Sequence, residues 1–311
     1  MSDATLLNHV LRAVHGDHTR LETWSAHPLT DRAHNRVVRY ELRATYGATL
    51  RCVGKSYEVE ADALRVADII RAVNAGGKVA TPRLLAVDVP RCLLVFTYEE
   101  GDPFTPALAG EERAVTAAVG RALAALHATP VPAIVERVTT AALVLDDLRP
   151  RVAELRGRLP RLSGSLPRRL AELERDLPSD PPVLSLVHGD FGPANLVWNG
   201  REVVVLDFDR CARGDPALDL GTLFTQLHRS ALRAPARLPR LSELRARVLE
   251  AYGADADLDA RVRWYERAVL VRKIHSLALD TTRHARPDRI RQRHSEAVRL
   301  LEMEESHAPS V

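Results

Sequence analysis

The spacing of the apolar residues changes along this chain, and that change constrains the fold more than any other feature of the sequence. Between residues 38 and 57 apolar and polar side chains alternate, which is typical of β-strands. Between residues 59 and 73 the apolar residues recur every three or four positions, as on one face of a helix. Apolar runs at 84–87 and 92–96 predict two more strands, so the early order is strand, strand, helix, strand, strand.

A segment rich in charged and turn-forming residues, 98–103, ends this pattern and marks the predicted domain boundary. Beyond it the apolar residues follow helical spacing, apart from a strand-rich insert at 183–207. The sequence therefore predicts an α+β fold of two lobes, a small antiparallel-sheet lobe at 1–97 and a larger, mainly helical lobe at 98–311. A chain of 311 residues is long enough to form a core in each lobe.

Charge and cysteine content argue against several classes of protein. The formal net charge is only +3, and basic and acidic residues are mixed, so no nucleic-acid partner is expected. No apolar run is long enough to span a membrane, and the first 14 residues do not resemble a signal peptide. The three cysteines lie far apart without a CxxC motif, which argues against a disulfide framework or a zinc site and favours the cytoplasm. None of these features predicts the oligomeric state.

The strongest chemical signal is the run VHGDFGPAN at 187–195, which the sequence DFD follows at 207–209. Phosphoryl transfer depends mainly on positioning and charge neutralisation, because its transition state is nearly metaphosphate-like. It needs one carboxylate to accept or orient the proton of the acceptor hydroxyl, and oxygen ligands to hold Mg²⁺ against the phosphates. Asp190, then Asn195, then Asp207 on the next strand can supply all three groups.

A predicted hairpin brings two of these residues together. Asn199-Gly200 lies between two apolar runs, which is a strong hairpin signal. Asn195 enters one strand and Asp207 leaves the other, so both should emerge at the same end, beside the loop that carries Asp190. Each residue alone could be a turn former or a helix cap, but this combination favours a catalytic site.

These motifs resemble the aminoglycoside phosphotransferase and choline kinase superfamily. The likeness rests on the HGD at 188–190 with Asn195, on the DFD at 207–209, and on the run GDPALDL at 214–220. The region of similarity extends over about 37–301, although the sharp motifs cover only a small part of it. The resemblance implies a bilobal protein-kinase-like fold and transfer of phosphate from a nucleoside triphosphate.

The resemblance also implies a role for each motif residue. Asp190 would be the catalytic base, and Asn195 and Asp207 would bind Mg²⁺. Asp219 would brace the catalytic loop from a helix start, and His188 would orient that loop. Asp209 would either support the metal ligands or contact the acceptor.

The nucleotide phosphates need a cation from the first lobe. Lys55, at the end of the second predicted strand, is the first candidate, and Arg51 on the same strand face is its rival. In kinases this lysine pairs with a helix glutamate. Glu60, which opens the next helix, is the better candidate for that partner, and Glu58 is the second.

The segment FTYE at 96–99 resembles the hinge of a kinase, where backbone groups at Tyr98 and Glu99 would bind the adenine. Backbone recognition leaves little trace in a sequence, so ATP and GTP both remain open. No G-x-G-x-x-G motif precedes the strands, which argues against a protein kinase and leaves open what covers the nucleotide.

The acceptor pocket should be formed by the C-terminal helices beside the catalytic aspartate. Trp264, Tyr265, Glu266 and Asp280 are candidates, because aromatic rings and carboxylates can hold a sugar or a cation. The predicted function is phosphorylation, by ATP or GTP with Mg²⁺, of a hydroxyl on an aminoglycoside-like antibiotic, a sugar, an amino alcohol or a natural product. The alternatives are an inactive kinase-fold nucleotide-binding protein and a metal-dependent phosphoesterase.

Overall fold

The computed structural model describes residues 2–32, 35–158, 165–179, 183–233, 241–279 and 287–305. Its first part contains a five-stranded sheet, whose strands are β1 (Leu21–Arg32), β2 (Asn35–Ala44), β3 (Thr49–Ser56), β4 (Leu84–Asp88) and β5 (Leu93–Thr97). The spatial order is β1-β2-β3-β5-β4, and every neighbouring pair is antiparallel.

One helix packs on each face of this sheet, because its central strands are apolar on both sides. Helix α1 (Asp3–His15) buries an apolar stripe that includes Leu7 and Leu11 against one face. Helix α2 (Glu60–Gly76) packs its own stripe on the other face. In β5, Val95 belongs to the core of α1 and Leu94 to that of α2, as the two-residue period of a strand requires.

The rest of the described chain is mainly helical. Its helices are α3 (Phe104–Gly110), α4 (Glu112–His127), α5 (Ala141–Arg158), α6 (Ser165–Arg175), α7 (Ala217–Arg233), α8 (Leu241–Tyr252), α9 (Ala256–Leu279) and α10 (Pro287–Glu305). Their buried faces share one hydrophobic cluster with α2, so the sheet and the helices are packed together. No helix within the described ranges is both long and apolar enough to cross a membrane.

Six short strands form two small sheets within the helical part. They are β6 (Asp102–Pro103), β7 (Val138–Thr139), β8 (Ser185–Val187), β9 (Leu196–Trp198), β10 (Val203–Val205) and β11 (Ala212–Gly214). The sheet orders are β10-β9-β6 and β7-β11-β8. Strands β9 and β10 form the predicted hairpin, in which Asn199 Oδ1 accepts the N–H groups of Arg201 and Glu202. Gly200 adopts a φ of 88°, which glycine tolerates.

The α+β fold class is confirmed, and all the strands and the helix predicted between 38 and 96 are present. The sequence interpretation missed α1 and β1. Most side chains of β1 are exposed, so this strand is formed by main-chain pairing with β2 and carries no clear apolar alternation. The division into lobes at 97/98 stays a prediction.

Helices α4 and α8 approach closely at a glycine. A Cβ on Gly120 would lie 2.5 Å from the Val248 oxygen and 2.7 Å from the Ala251 Cβ. The same helix pair brings the Tyr252 hydroxyl to within 2.9 Å of His127 Nδ1. The close contact between the helices therefore keeps Tyr252 within hydrogen-bond distance of His127.

We expect Gly120→Ala to lower the free energy of unfolding by about 1–3 kcal/mol, because α8 must move to admit the methyl group. This loss should occur although alanine favours a helix interior over glycine by about 1 kcal/mol. The matched control is Gly157→Ala in α5, where a Cβ meets no atom within 4 Å and no loss is expected. Thermal unfolding measures both changes, and equal melting temperatures for the two variants would contradict the close-packing argument.

Candidate active site

The loop after β8 carries Asp190 and depends on a glycine. Gly189 adopts a φ of 78°, and a Cβ there would lie 2.3 Å from the Arg210 oxygen. Only glycine satisfies both the left-handed backbone and the close approach. The turn leaves the Asp190 side chain 48% exposed, so its carboxylate can be reached from solvent.

A buried carboxylate at the start of α7 holds this loop. Asp219 accepts the N–H of His188 at 2.6 Å and the N–H of Gly189 at 2.8 Å. Its Oδ2 also lies 3.1 Å from His127 Nε2. Complete burial would raise the pKa of Asp219, but the hydrogen bond and charge of His127, together with His188, lower it. The carboxylate therefore stays ionised and fixes the backbone that precedes Asp190.

The ring of His188 links this loop to Leu206, the residue that precedes Asp207. Its Nε2 lies 2.8 Å from the Leu206 oxygen, and its Nδ1 lies 3.3 Å from the Asp190 nitrogen. These contacts suit a neutral ring that donates from Nε2 and accepts at Nδ1. Because His188 is fully buried, it positions the loop without reaching an acceptor.

The structure brings Asp190, Asn195 and Asp207 together. Asn195 Nδ2 donates to the backbone oxygen of Asp190 at 3.0 Å, and the Leu206 N–H donates to the backbone oxygen of Asn195 at 2.9 Å. The β9–β10 hairpin thus places Asn195 beside Asp207, as its sequence predicted. Asp207 has a φ of 63°, an uncommon value that occurs often in functional sites and that Asp tolerates better than most residues.

Lys55 joins the sheet to this segment. It is only 9% exposed, and its Nζ lies 2.8 Å from Asp207 Oδ1 and 2.6 Å from Asp209 Oδ2. Tyr57 donates its hydroxyl to Asp209 Oδ1 at 3.0 Å. Burial would raise the pKa of Asp207, but the charge and hydrogen bond of Lys55 lower it. Burial and the neighbouring Asp207 charge raise the pKa of Asp209.

The predicted Lys55–Glu60 pair is wrong. Lys55 is held by Asp207 and Asp209, and Glu60 is exposed at the first residue of α2. The residue of α2 that reaches the site is Arg65, whose Nη2 donates to the Asp209 oxygen at 3.0 Å. The sequence analysis did not identify Arg65, which lies five residues after Glu60 in the same helix.

A cleft of about 590 Å³ opens beside these groups, between the sheet and the β9–β10 hairpin. Its apolar walls come from both sides, with Val37 and Val53 from the sheet and Leu196 and Leu206 from the hairpin. Strand β1 also contributes Leu29 and Thr30 to the lining of the cleft. The volume and the mixture of apolar walls with a few polar groups suit a nucleotide-sized ligand.

Tyr98 and Glu99, the residues of the predicted hinge, line the same cleft. Arg51 lies outside the charged cluster, because its guanidinium stacks 5.2 Å from the centroid of the Tyr98 ring and pairs with Glu100. The two rival cations are therefore separated, with Lys55 beside Asp207 and Asp209 and Arg51 beside Tyr98 and Glu100.

The predicted acceptor contacts of Trp264 and Tyr265 are wrong. Trp264 is 2% exposed and donates its Nε1 to the Leu173 oxygen at 3.0 Å, and Tyr265 is completely buried. Helix α9 buries residues on almost every side, so its aromatic rings belong to the core. Glu266 accepts from Arg245 Nε at 2.9 Å and lines cavities apart from the cleft. Asp280 lies outside the described residues.

Comparison with known proteins identifies the family of this chain and structures with a similar fold. A family model described as "Phosphotransferase enzyme family" (APH) matches residues 25–265. No curated protein sequence matches the chain. Among solved structures, the macrolide 2'-phosphotransferase MphH from Brachybacterium faecium is 21% identical, with 95% of this chain and 97% of that chain covered and a TM-score of 0.59.

Two further structures are similar. A thermostable mutant of the aminoglycoside phosphotransferase APH(4)-Ia, in a ternary complex with AMP-PNP and hygromycin B, is 17% identical, with coverage of 98% and 99% and a TM-score of 0.65. A choline/ethanolamine kinase family protein from Mesorhizobium loti is 18% identical, with coverage of 89% and 88% and a TM-score of 0.60. At these identities the similarity shows a shared kinase-like fold. Because the family match spans most of the chain and includes Lys55, Asp190 and Asp207, the chain belongs to the APH phosphotransferase enzyme family.

Proposed function

We propose that this chain transfers the terminal phosphate of ATP or GTP to a hydroxyl group of a small molecule. The observation that carries the proposal is a set of three neighbouring groups, of which Asn195, Lys55 and Asp207 line the nucleotide-sized cleft. These are the half-exposed Asp190 carboxylate, the Asn195 amide that contacts its backbone, and the Lys55–Asp207 ion pair. The AMP-PNP bound to the APH(4)-Ia relative supports ATP as the phosphate donor.

Mg²⁺ fits two of the residues that line this cleft. Asp207 and Asn195 provide a carboxylate and an amide oxygen, the hard ligands that Mg²⁺ takes in proteins alongside substrate phosphates. The lowered pKa of Asp207 keeps that carboxylate ionised, which metal binding requires. A bound Mg²⁺ would neutralise negative charge on the phosphates of the nucleotide.

The remaining steps belong to side chains of the chain itself. Lys55 would bind the phosphates as a point charge, since it already lies among carboxylates that orient it. Asp190 would accept the proton of the acceptor hydroxyl at its carboxylate, while His188 and Asp219 hold its backbone. The apolar walls of the cleft would exclude water from the transferred group. The cytoplasmic location stays a prediction.

Asp190→Asn should reduce ATP-dependent phosphorylation roughly 100-fold or more, because the amide cannot accept the hydroxyl proton. Binding of AMP-PNP, measured by calorimetry, should change little. The surface substitution Asp68→Asn, in an α2 ion pair with Arg71, is the control and should retain full activity. An active Asp190→Asn enzyme would refute the base assignment, and retained nucleotide binding in a wild-type chain without turnover would indicate an inactive nucleotide-binding protein.

Asp207→Asn should weaken productive Mg²⁺ binding while keeping the fold, because asparagine supplies no charge to the metal but tolerates the same left-handed backbone. We expect the Mg²⁺ concentration at half-maximal activity to rise by at least about tenfold. Asp209→Asn is the comparison, since that carboxylate is turned towards Lys55 and Tyr57, and it should shift the midpoint less. An unchanged midpoint in Asp207→Asn would remove this residue from the metal site.

Lys55→Ala should weaken AMP-PNP binding by roughly tenfold or more, because it removes a charge-assisted contact in a partly desolvated site. Arg51→Ala should have a smaller effect, since Arg51 is occupied by Tyr98 and Glu100. Calorimetric titration of both variants gives the order, and circular dichroism checks that each has folded. The reverse order would move the phosphate-binding role to Arg51.

A further inference from the structure

A group of cations near Asp190 has no part in the proposed phosphoryl transfer. We call Arg210, Arg229, Arg272 and Lys273 the cationic cluster. Arg210 follows the DFD motif directly, and its Nε is 3.9 Å from Asp190 Oδ2. The other three members come from α7 and α9, two helices that pack against each other.

The packing of α7 explains why these helices reach the catalytic loop. Gly221 allows α7 to approach α9, since a Cβ there would lie 2.8 Å from the Tyr265 Cβ. Further along α7, the Gln226 Cγ lies 3.1 Å from where a Cβ on Gly192 would stand. The stretch of α7 that contains Arg229 therefore follows directly on the part that packs against the catalytic loop.

Two members of the cluster lack a counter-ion. Arg272 and Lys273 are half-buried, and among the described residues neither has a hydrogen bond or ion pair. Burial and the charge of Arg210 lower the pKa of Arg272. Burial and the charge of Arg229 lower the pKa of Lys273 to about 8. The carboxylates of Asp147 and Asp190 oppose the shift at Arg272, and those of Asp190 and Glu296 oppose it at Lys273, so Asp190 acts on both cations.

The nearby acids are already engaged by other cations. Glu296 on α10 accepts Arg229 Nε at 2.5 Å and Arg233 Nη2 at 2.6 Å. Asp147 on α5 holds Arg151 through two contacts, at 2.8 and 3.0 Å. Among the residues that the structure describes, the surroundings of Asp190 thus have a surplus of positive charge, which would repel a polycation and attract an anion.

We infer that the acceptor is an anionic hydroxy compound, whose carboxylate or phosphate group binds the cationic cluster while its hydroxyl lies at Asp190. This inference rests on the proposed phosphotransferase function and specifies its acceptor class. An anion would give Arg272 and Lys273 the counter-charge that the described residues do not provide. An aminoglycoside, which is a polycation, would need carboxylates in this position instead.

The charge of the ligand can be tested without knowing the acceptor. The wild-type chain is saturated with Mg²⁺ and AMP-PNP, so that the nucleotide site is filled, and is then titrated in a calorimeter with tricarballylate, a trianion. Spermidine, a trication, is titrated in parallel. We expect binding of tricarballylate and none of spermidine. Spermidine binding, or no tricarballylate binding, would overturn the inference.

Variants locate the binding site. Arg272→Gln and Lys273→Gln should each weaken tricarballylate binding by about tenfold, the loss of one charge-assisted contact. Arg263→Gln, an exposed arginine further back on α9, is the matched control and should bind as the wild type does. If the two variants bind tricarballylate normally but lose affinity for AMP-PNP, the cluster serves the nucleotide and the inference is wrong.

A second measurement separates this inference from the proposed function. ATP consumption is followed with glucuronate, glucose 6-phosphate, glucose and glucosamine, which share ring hydroxyls but differ in charge. Turnover with glucuronate or with glucose 6-phosphate distinguishes a carboxylate from a phosphate, and preference for glucosamine would contradict an anionic acceptor. If no compound supports turnover, the result bears on the phosphotransferase proposal alone, because tricarballylate binding decides the charge independently.

Discussion

The cleft depends on one buried cation between two carboxylates. Lys55 comes from the sheet, whereas Asp207 and Asp209 follow the β9–β10 hairpin, so their ion pairs join parts of the chain that are 152 and 154 residues apart. Desolvation of such a pair is costly, and it is offset only when every polar atom has a partner. Tyr57 meets part of that need at Asp209. The arrangement keeps a lysine and the carboxylate that we propose as a Mg²⁺ ligand in place before any nucleotide arrives, which is the preorganisation that phosphoryl transfer requires.

A second buried carboxylate connects helix packing to the chemistry. Asp219 fixes the backbone of the catalytic loop, and His127 is hydrogen-bonded to Asp219 on one side and to Tyr252 on the other. Tyr252 belongs to α8, whose distance from α4 is set by the absence of a side chain at Gly120. A change in that distance would therefore reach Asp190 through an unbroken series of contacts. The packing of the helical part and the position of Asp190, the proposed base, are in this way parts of one network.

Local sequence signals predicted most of the fold and the centre of the site, whereas contacts between distant segments were not predictable in the same way. The apolar period defined β2 to β5 and α2, and the Asn199 turn correctly brought Asn195 to Asp207, because each depends on a few neighbouring residues. The partner of Lys55 was misassigned to Glu60, since the choice between competing carboxylates depends on how the sheet docks onto the hairpin. Burial of Trp264 could not be separated from exposure by spacing alone, because α9 is surrounded on nearly all sides.

The nucleotide-sized cleft and the cationic cluster differ in how closely they are tied to the fold. The cleft is formed by main-chain turns, a hairpin and an ion pair, which also hold the sheet to the helices. Apart from Arg210, the cationic cluster is formed by side chains on α7 and α9 whose helical backbone does not depend on their charge. Substitution of those side chains would change the charge presented to an acceptor while leaving the cleft intact. A shared kinase-like fold is thus compatible with acceptors of opposite charge, and the acceptor class must be inferred from these side chains and not from the fold.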